Sequence, residues 1–83
     1  MRFSENAILQ FISRQFPWWG NCHFRFIHQT KRLYIYSQNL EKREKILRDL
    51  RLLATSNLGI TQLILVQPPH PETVVNCLQL SQF

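Results

Sequence analysis

Cys22 and His23 stand side by side, and a thiol next to an imidazole is the raw material of a nucleophilic dyad or a metal site. Neighbouring strand residues point to opposite faces, however, so this adjacency does not set sulfur against ring nitrogen. With His28 and His70 added, the set still has no zinc-ligand spacing, and neither Cys22 nor Cys77 belongs to a CxxC motif. Five acids and three histidines supply no paired-carboxylate, Ser/His/Asp or Gly-rich phosphate-loop pattern. A chain of 83 residues also has little interior in which to enclose a substrate pocket. The expectation is a protein that is not an enzyme and uses no metal, cofactor or small-molecule substrate.

Binding chemistry remains, and it is unevenly distributed. Between Arg25 and Arg51 lie eight basic residues (Arg25, Lys31, Arg32, Lys42, Arg43, Lys45, Arg48, Arg51) against Glu41, Glu44 and Asp49. Arg2 and Arg14 balance Glu5 and Glu72, so that segment holds the whole net charge of +5. A one-sided positive field attracts acidic partners, nucleic acid among them. A solvated helix face and a hairpin turn account for the same charges without any partner. Tyr34 and Tyr36 fall within the same stretch, as does Phe26.

These residues are positioned by a pattern that changes period along the chain. Ser4 suits a helix N-cap, Glu5 the first turn, and Phe3 with Ile8 a hydrophobic staple. Ile8, Phe11 and Ile12, with Phe16 beyond, form an apolar stripe at helical spacing, and Pro17 ends the helix near Gln15. Pro17-Trp18-Trp19-Gly20-Asn21 reads as a turn, with one indole buried against the first helix and the other partly exposed beside the hairpin.

From Cys22 the period becomes two. Cys22, Phe24 and Phe26 point one way, and His23, Arg25 and Ile27 the other. Leu33 and Ile35 share a face opposite Arg32, Tyr34 and Tyr36. A hairpin centred on Gln29-Thr30 pairs Phe26 with Leu33 and Phe24 with Ile35, and sets Ile27 against Arg32, Arg25 against Tyr34 and His23 against Tyr36. Both faces agree in that register. It brings Arg25 over Tyr34, in reach of a cation–π contact.

Asn39 is suited to cap the second helix, whose stripe is Ile46, Leu47, Leu50, Leu53 and Ala54. Glu41/Lys45 and Glu44/Arg48 have the spacing of favourable i,i+4 pairs, and Gly59 is a natural left-handed stop. Ile60 to Gln67 is the third strand, with apolar residues on both faces. Beyond Pro68-Pro69-His70-Pro71, Pro71 suits the first turn of a final helix with Val74, Val75 and Leu78 as its stripe. The β-branched Thr73, Val74 and Val75 favour an extended tail instead.

The fold class expected is α+β: a single small αββαβ(α) domain with a three-stranded mixed sheet and its helices on one face. That face receives Phe24, Phe26, Leu33, Ile35, Leu63 and Leu65. The other presents His23, Arg25, Ile27, Arg32, Tyr34, Tyr36, Ile64 and Val66, a patch that monomers seldom leave exposed unless a terminal segment folds over it. These eight residues are the expected partner-binding surface, with self-association as a homodimer or capture of another protein as its use. The alternative is a single-stranded nucleic-acid platform of Arg25, Lys31, Arg32, Tyr34 and Tyr36, in which tyrosines stack on bases and cations line the phosphates.

The αββαβ order resembles the RNA-binding KH family, which clamps the nucleic-acid backbone with a GxxG loop between paired helices. Gly20 and Gly59 are the only glycines here, and one continuous helix fills that span, so KH-type function does not carry over. From Trp19 to Val66 the chain is similar to small αββαβ modules of cyanobacterial proteins. The match rests on a Trp-Gly turn, Cys22-His23-Phe24-Arg25-Phe26, Arg32-Leu33-Tyr34-Ile35, a helix, and Ile64-Leu65-Val66. Gln67-Pro68 stands where those modules carry a basic-Gln pair. The resemblance implies the fold and no activity.

No run approaches the roughly 18 apolar residues of a membrane span. Ser4, Glu5, Asn6 and Gln10 interrupt the apolar region a signal peptide needs, so the cytoplasm is the expected compartment. Cys22 and Cys77 are accordingly expected as thiols.

Overall fold

The computed structural model describes residues 5–56 and 58–77. Helix α1 (Glu5–Gln15) ends where Pro17 forbids its continuation, with the Phe16 N–H closing the last turn on the Ile12 carbonyl at 3.0 Å. Ile8 and Ile12 are buried, but Phe11 is exposed, so the stripe of α1 is narrower than its spacing predicts. The cap at Ser4 and the Phe3 staple lie outside the described residues. A 3-10 turn, Pro17–Trp19, leads through Gly20, whose φ of 76° and ψ of −153° belong to glycine, into the sheet.

Strands β1 (Cys22–Ile27) and β2 (Arg32–Ser37) pair antiparallel in the predicted register, Phe24 opposite Ile35 and Phe26 opposite Leu33. The connection is a four-residue loop, 28–31, closed by the Lys31 N–H on the Ile27 carbonyl at 2.7 Å, with Lys31 itself left-handed at φ 61°. A second 3-10 turn, Leu40–Lys42, precedes helix α2 (Arg43–Leu53). Asn39 therefore does not cap α2 through its side chain. Its backbone N–H donates to Ser37 Oγ instead, at 3.1 Å. Glu41 falls in that turn, outside α2, and Lys45 is drawn to Trp18 rather than to Glu41. Gly59 is left-handed, at φ 80°, but stands in the loop well past the end of α2. The stop is made by the Ala54 N–H on the Leu50 carbonyl (2.8 Å) and the Thr55 hydroxyl on the Leu52 carbonyl (2.7 Å).

Strand β3 (Gln62–Val66) lies parallel to β2, and β4 (Thr73–Asn76) pairs antiparallel with β3. The sheet thus has four strands in the order β1-β2-β3-β4, not three, and the segment after Pro71 is a strand rather than a final helix. Two physical causes act together. Thr73, Val74 and Val75 are successive β-branched residues, and the second edge of β3 offers their backbone a ladder of hydrogen bonds. Leu78, the remaining member of the predicted stripe, lies outside the described residues.

Both helices contribute to one apolar layer on one sheet face: Ile8 and Ile12 from α1, Ile46, Leu50 and Leu53 from α2, Leu33, Ile35, Leu63 and Leu65 from the sheet. The inward residues of β2 and β3 are fully buried, whereas Cys22, Phe24 and Phe26 of the edge strand β1 are half-buried.

Cys22 begins β1 at the end of the sheet where Ser37 lies, and Cys77 follows β4 beyond the Asn76–Gln62 pair at the opposite end. Three inter-strand steps of about 4.8 Å separate these edges, so the two sulfurs are too far apart to bridge. Both residues are half-buried thiols outside any disulfide, and burial raises both pKa values above the ordinary one. Thiol titration of the denatured protein should find two groups, and native alkylation should be slow. The unfolded chain releases these protons first, so stability is unaffected below about pH 8.5 and falls as pH rises through the folded-state values. A mass consistent with a disulfide, or stability that increases above that pH, would contradict this.

Candidate functional site

Period-two alternation puts every second residue of the four strands on the face opposite the helices, and the register sorts them into rows. His23, Tyr36 and Val66 form one row. Arg25, Tyr34, Ile64 and Val74 form the next, and Ile27, Arg32, Gln62 and Asn76 the third. All eight residues predicted for a partner surface are therefore gathered on one face. Lys31 is not among them, because it sits in the hairpin loop beyond the sheet.

The face is graded in polarity from edge to edge. His23, Arg25 and Arg32 lie exposed on the β1–β2 side, with half-buried Val66 and 50% exposed Val74 on the β3–β4 side. Tyr34 and Tyr36 occupy the middle as a near-parallel pair, centroids 6.4 Å apart and planes 18° from each other, within the range of offset stacking. Ile64, between Tyr34 and Val74 in its row, is only 3% exposed, contrary to its expected place among the open residues. Gln62 Nε2 donates to Asn76 Oδ1 at 2.9 Å and ties the third row together. Arg25 stands opposite Tyr34, but no cation–π contact joins them among the described residues. The one formed there is Lys45 Nζ, 4.9 Å from the Trp18 ring centroid.

Of residues 71–83, a candidate cover for this face, Thr73–Asn76 instead extend it by a strand, and 78–83 lie outside the described residues. No acidic side chain occurs on any of the four strands. Among the described residues no group of three or more His, Cys, Asp or Glu is placed to hold a metal ion. No helix among them is long and apolar enough to cross a membrane.

Two polar clusters missed by sequence reasoning tie α2 to the turn before β1 and to the ends of the strands. Asp49, on the buried side of α2, accepts both indole N–H groups on one oxygen: Trp18 Nε1 at 2.7 Å and Trp19 Nε1 at 2.9 Å. Phe16 stacks on Trp19 at 4.8 Å and meets Trp18 edge-on at 5.7 Å. Trp19 is buried and Trp18 40% exposed, so the pair divides as expected, except that Trp18 leans on α2 rather than on the hairpin. At the other cluster, fully buried Gln67 accepts from Arg43 Nη1 (2.9 Å) and donates to Ser37 Oγ and the Asn39 carbonyl (3.2 Å each). Arg43 Nη2 continues to Thr73 Oγ1 at 3.1 Å, so one amide links the end of β2, the start of α2, the end of β3 and the start of β4. Each had a faint signal. Asp49 lies three residues past Ile46 on its stripe, and Gln67 continues the Leu63, Leu65 alternation.

The described residues of this face form a one-sided surface, basic toward β1, aromatic at its middle and apolar toward β4. No family model, curated protein or solved structure matches this chain.

Proposed function

We propose that the protein is a non-catalytic interaction module that self-associates through the helix-free face of its sheet. The observation that carries this is the Tyr34–Tyr36 stack set beside Val66 and the exposed Val74 on a face opposite both helices. Apolar and aromatic surface of that kind favours burial against a second surface. The grading from basic to apolar also selects a geometry. A two-fold axis lying in the interface along the strands sets the β1 edge of one copy over the β4 edge of the other. Tyr34 then covers the second copy's Ile64, Tyr36 its Val66 and Arg25 its Val74, and no arginine meets an arginine. A face of four strands measures about 19 Å across and 17 Å along. That is below the standard interface size, so the dimer is a weak one, in the micromolar range. A cytoplasmic setting and kinship with the cyanobacterial αββαβ modules belong to the same proposal.

A second use of the face is favoured by one specific observation. His23, Arg25 and Arg32 are exposed beside an exposed Tyr36 with no acid on the strands, which is the composition of a single-stranded nucleic-acid platform.

The double substitution Tyr34→Ala with Tyr36→Ala tests both. It should weaken self-association more than tenfold in sedimentation or light scattering across the micromolar range. It should leave the thermal midpoint close to that of the parent, because neither ring belongs to the helix-facing core. A parent protein that stays strictly monomeric, or a variant that loses stability yet keeps its mass, would overturn the dimer. Labelled oligonucleotides titrated at two salt concentrations decide the second use: it requires binding at low salt that weakens steeply as salt rises and is lost in the same variant.

A further inference from the structure

A groove of about 510 Å³ lies where α1 and the Pro17–Trp19 turn meet the first half of β1. Ile12, Phe16, Trp19 and Phe24 give it apolar walls. Cys22, His23 and Phe24 in succession line it, so residues of both sheet faces border the groove along the first half of β1. Its volume is that of an ordinary ligand cleft. Among the described residues β1 pairs with β2 alone, so alternate N–H and C=O groups along its six residues point away from the sheet.

We infer that this edge binds an extended peptide segment of another protein, one that alternates apolar with acidic residues, as a fifth strand beside β1. Main-chain hydrogen bonds along a sheet edge supply affinity, and alternate side chains supply selection. The apolar positions of such a segment fall on the Phe16, Trp19 and Phe24 side. The intervening positions fall on the open side, beside His23 and Arg25, where charge complementarity demands acids. The same charges disfavour a second copy as occupant. Pairing β1 with itself about Arg25 sets arginine against arginine, and a charge on an edge strand is a usual means of blocking like-with-like pairing. The segment shares His23 and Arg25 with the face proposed for self-association but not its aromatic centre, since Tyr34 and Tyr36 lie on β2.

The probe is a synthetic octapeptide, capped at both ends, that alternates Phe or Leu with Glu. Its partner in the test is a peptide of the same composition in scrambled order. Exchange of the alternate, outward-pointing backbone amides of residues 22–27 should slow at least tenfold on adding the alternating peptide. The scrambled peptide should bind at least tenfold more weakly. Arg25→Glu, an exposed site, should weaken the alternating peptide at least tenfold, and Tyr34→Ala with Tyr36→Ala should leave its affinity unchanged. Equal binding of both peptides, unprotected β1 amides, or affinity lost with the tyrosines would overturn the proposal. So would β1 amides that become protected as the protein alone is concentrated, which would mean that a second copy occupies the edge, or displacement of the peptide by an oligonucleotide.

Discussion

Leu50→Ala should cost about 2–4 kcal/mol of folding stability. Leu50 has no exposed surface and stands between Ile46 and Leu53 on the buried stripe of α2, in the layer formed with Leu33, Ile35, Leu63 and Leu65. Truncating it removes three carbons from water-free surroundings and leaves a cavity that two helices and a sheet cannot close without moving. A domain of this size has a total stability of about 4–8 kcal/mol, so the loss takes a large part of the margin. In a urea melt the midpoint should fall with the slope unchanged. Leu52→Ala, one turn-face away and 63% exposed, should cost less than about 0.5 kcal/mol and serves as the internal reference. A loss below about 1 kcal/mol for Leu50→Ala would mean that α2 does not pack on the sheet through this stripe.

The success of α2 and the hairpin as sequence readings has a common cause. In each, a single period accounts for the buried apolar residues, Ile46, Leu50 and Leu53 in α2 and Leu33 and Ile35 in β2, and in the hairpin two strands must agree on both faces at once. A slip by one residue would have turned Leu33 and Ile35 outward and Tyr34 inward, so the register had no near competitor. Six of the eight residues of the candidate face came with it, and Ile64 and Val66 came from the alternation of β3. β4 was different, because Val74 and Val75 fit the start of a helical stripe as well as a strand. The deciding factor is the free edge of β3, a tertiary feature that no local window contains. Val74 and Asn76 therefore joined the face unannounced. Phe11 failed for the opposite reason: its spacing fits the stripe of α1, but Ile8 and Ile12 fill the space available over a small sheet. Asp49 was read as one acid among the basic residues of α2. Its charge argued for solvent, while its partners lie some 30 residues away in the chain.

That carboxylate carries the second large expectation. Asp49→Ala should cost about 2–4 kcal/mol, and Asp49→Asn about 1–2 kcal/mol. The two losses differ because of what each variant leaves behind. Alanine removes the acceptor of the buried Trp19 N–H, which has no water to turn to, and of the Trp18 N–H, which is exposed enough to find one. Asparagine still offers an oxygen to the pair and forfeits only the charge. The penalty for alanine thus belongs mainly to the orphaned Trp19 donor, and this can be isolated. Trp19→Phe deletes that donor while keeping an aromatic ring stacked on Phe16, 4.8 Å away in the parent. In the Trp19→Phe background, Asp49→Ala should cost at least 1 kcal/mol less than in the parent, measured as a double-mutant cycle by urea melts. Two costs that add within about 0.5 kcal/mol would mean that Asp49 and Trp19 do not act on each other. Fluorescence provides the independent reading, because Trp18 should become more accessible to quencher in Asp49→Ala: its remaining anchors, the Lys45 ammonium and the edge of Phe16, do not bond its indole nitrogen. The clasp joins the α1–β1 turn to α2 across the core, so a broken clasp should also loosen the entry into β1 and speed amide exchange at residues 20–22 before the rest of the sheet.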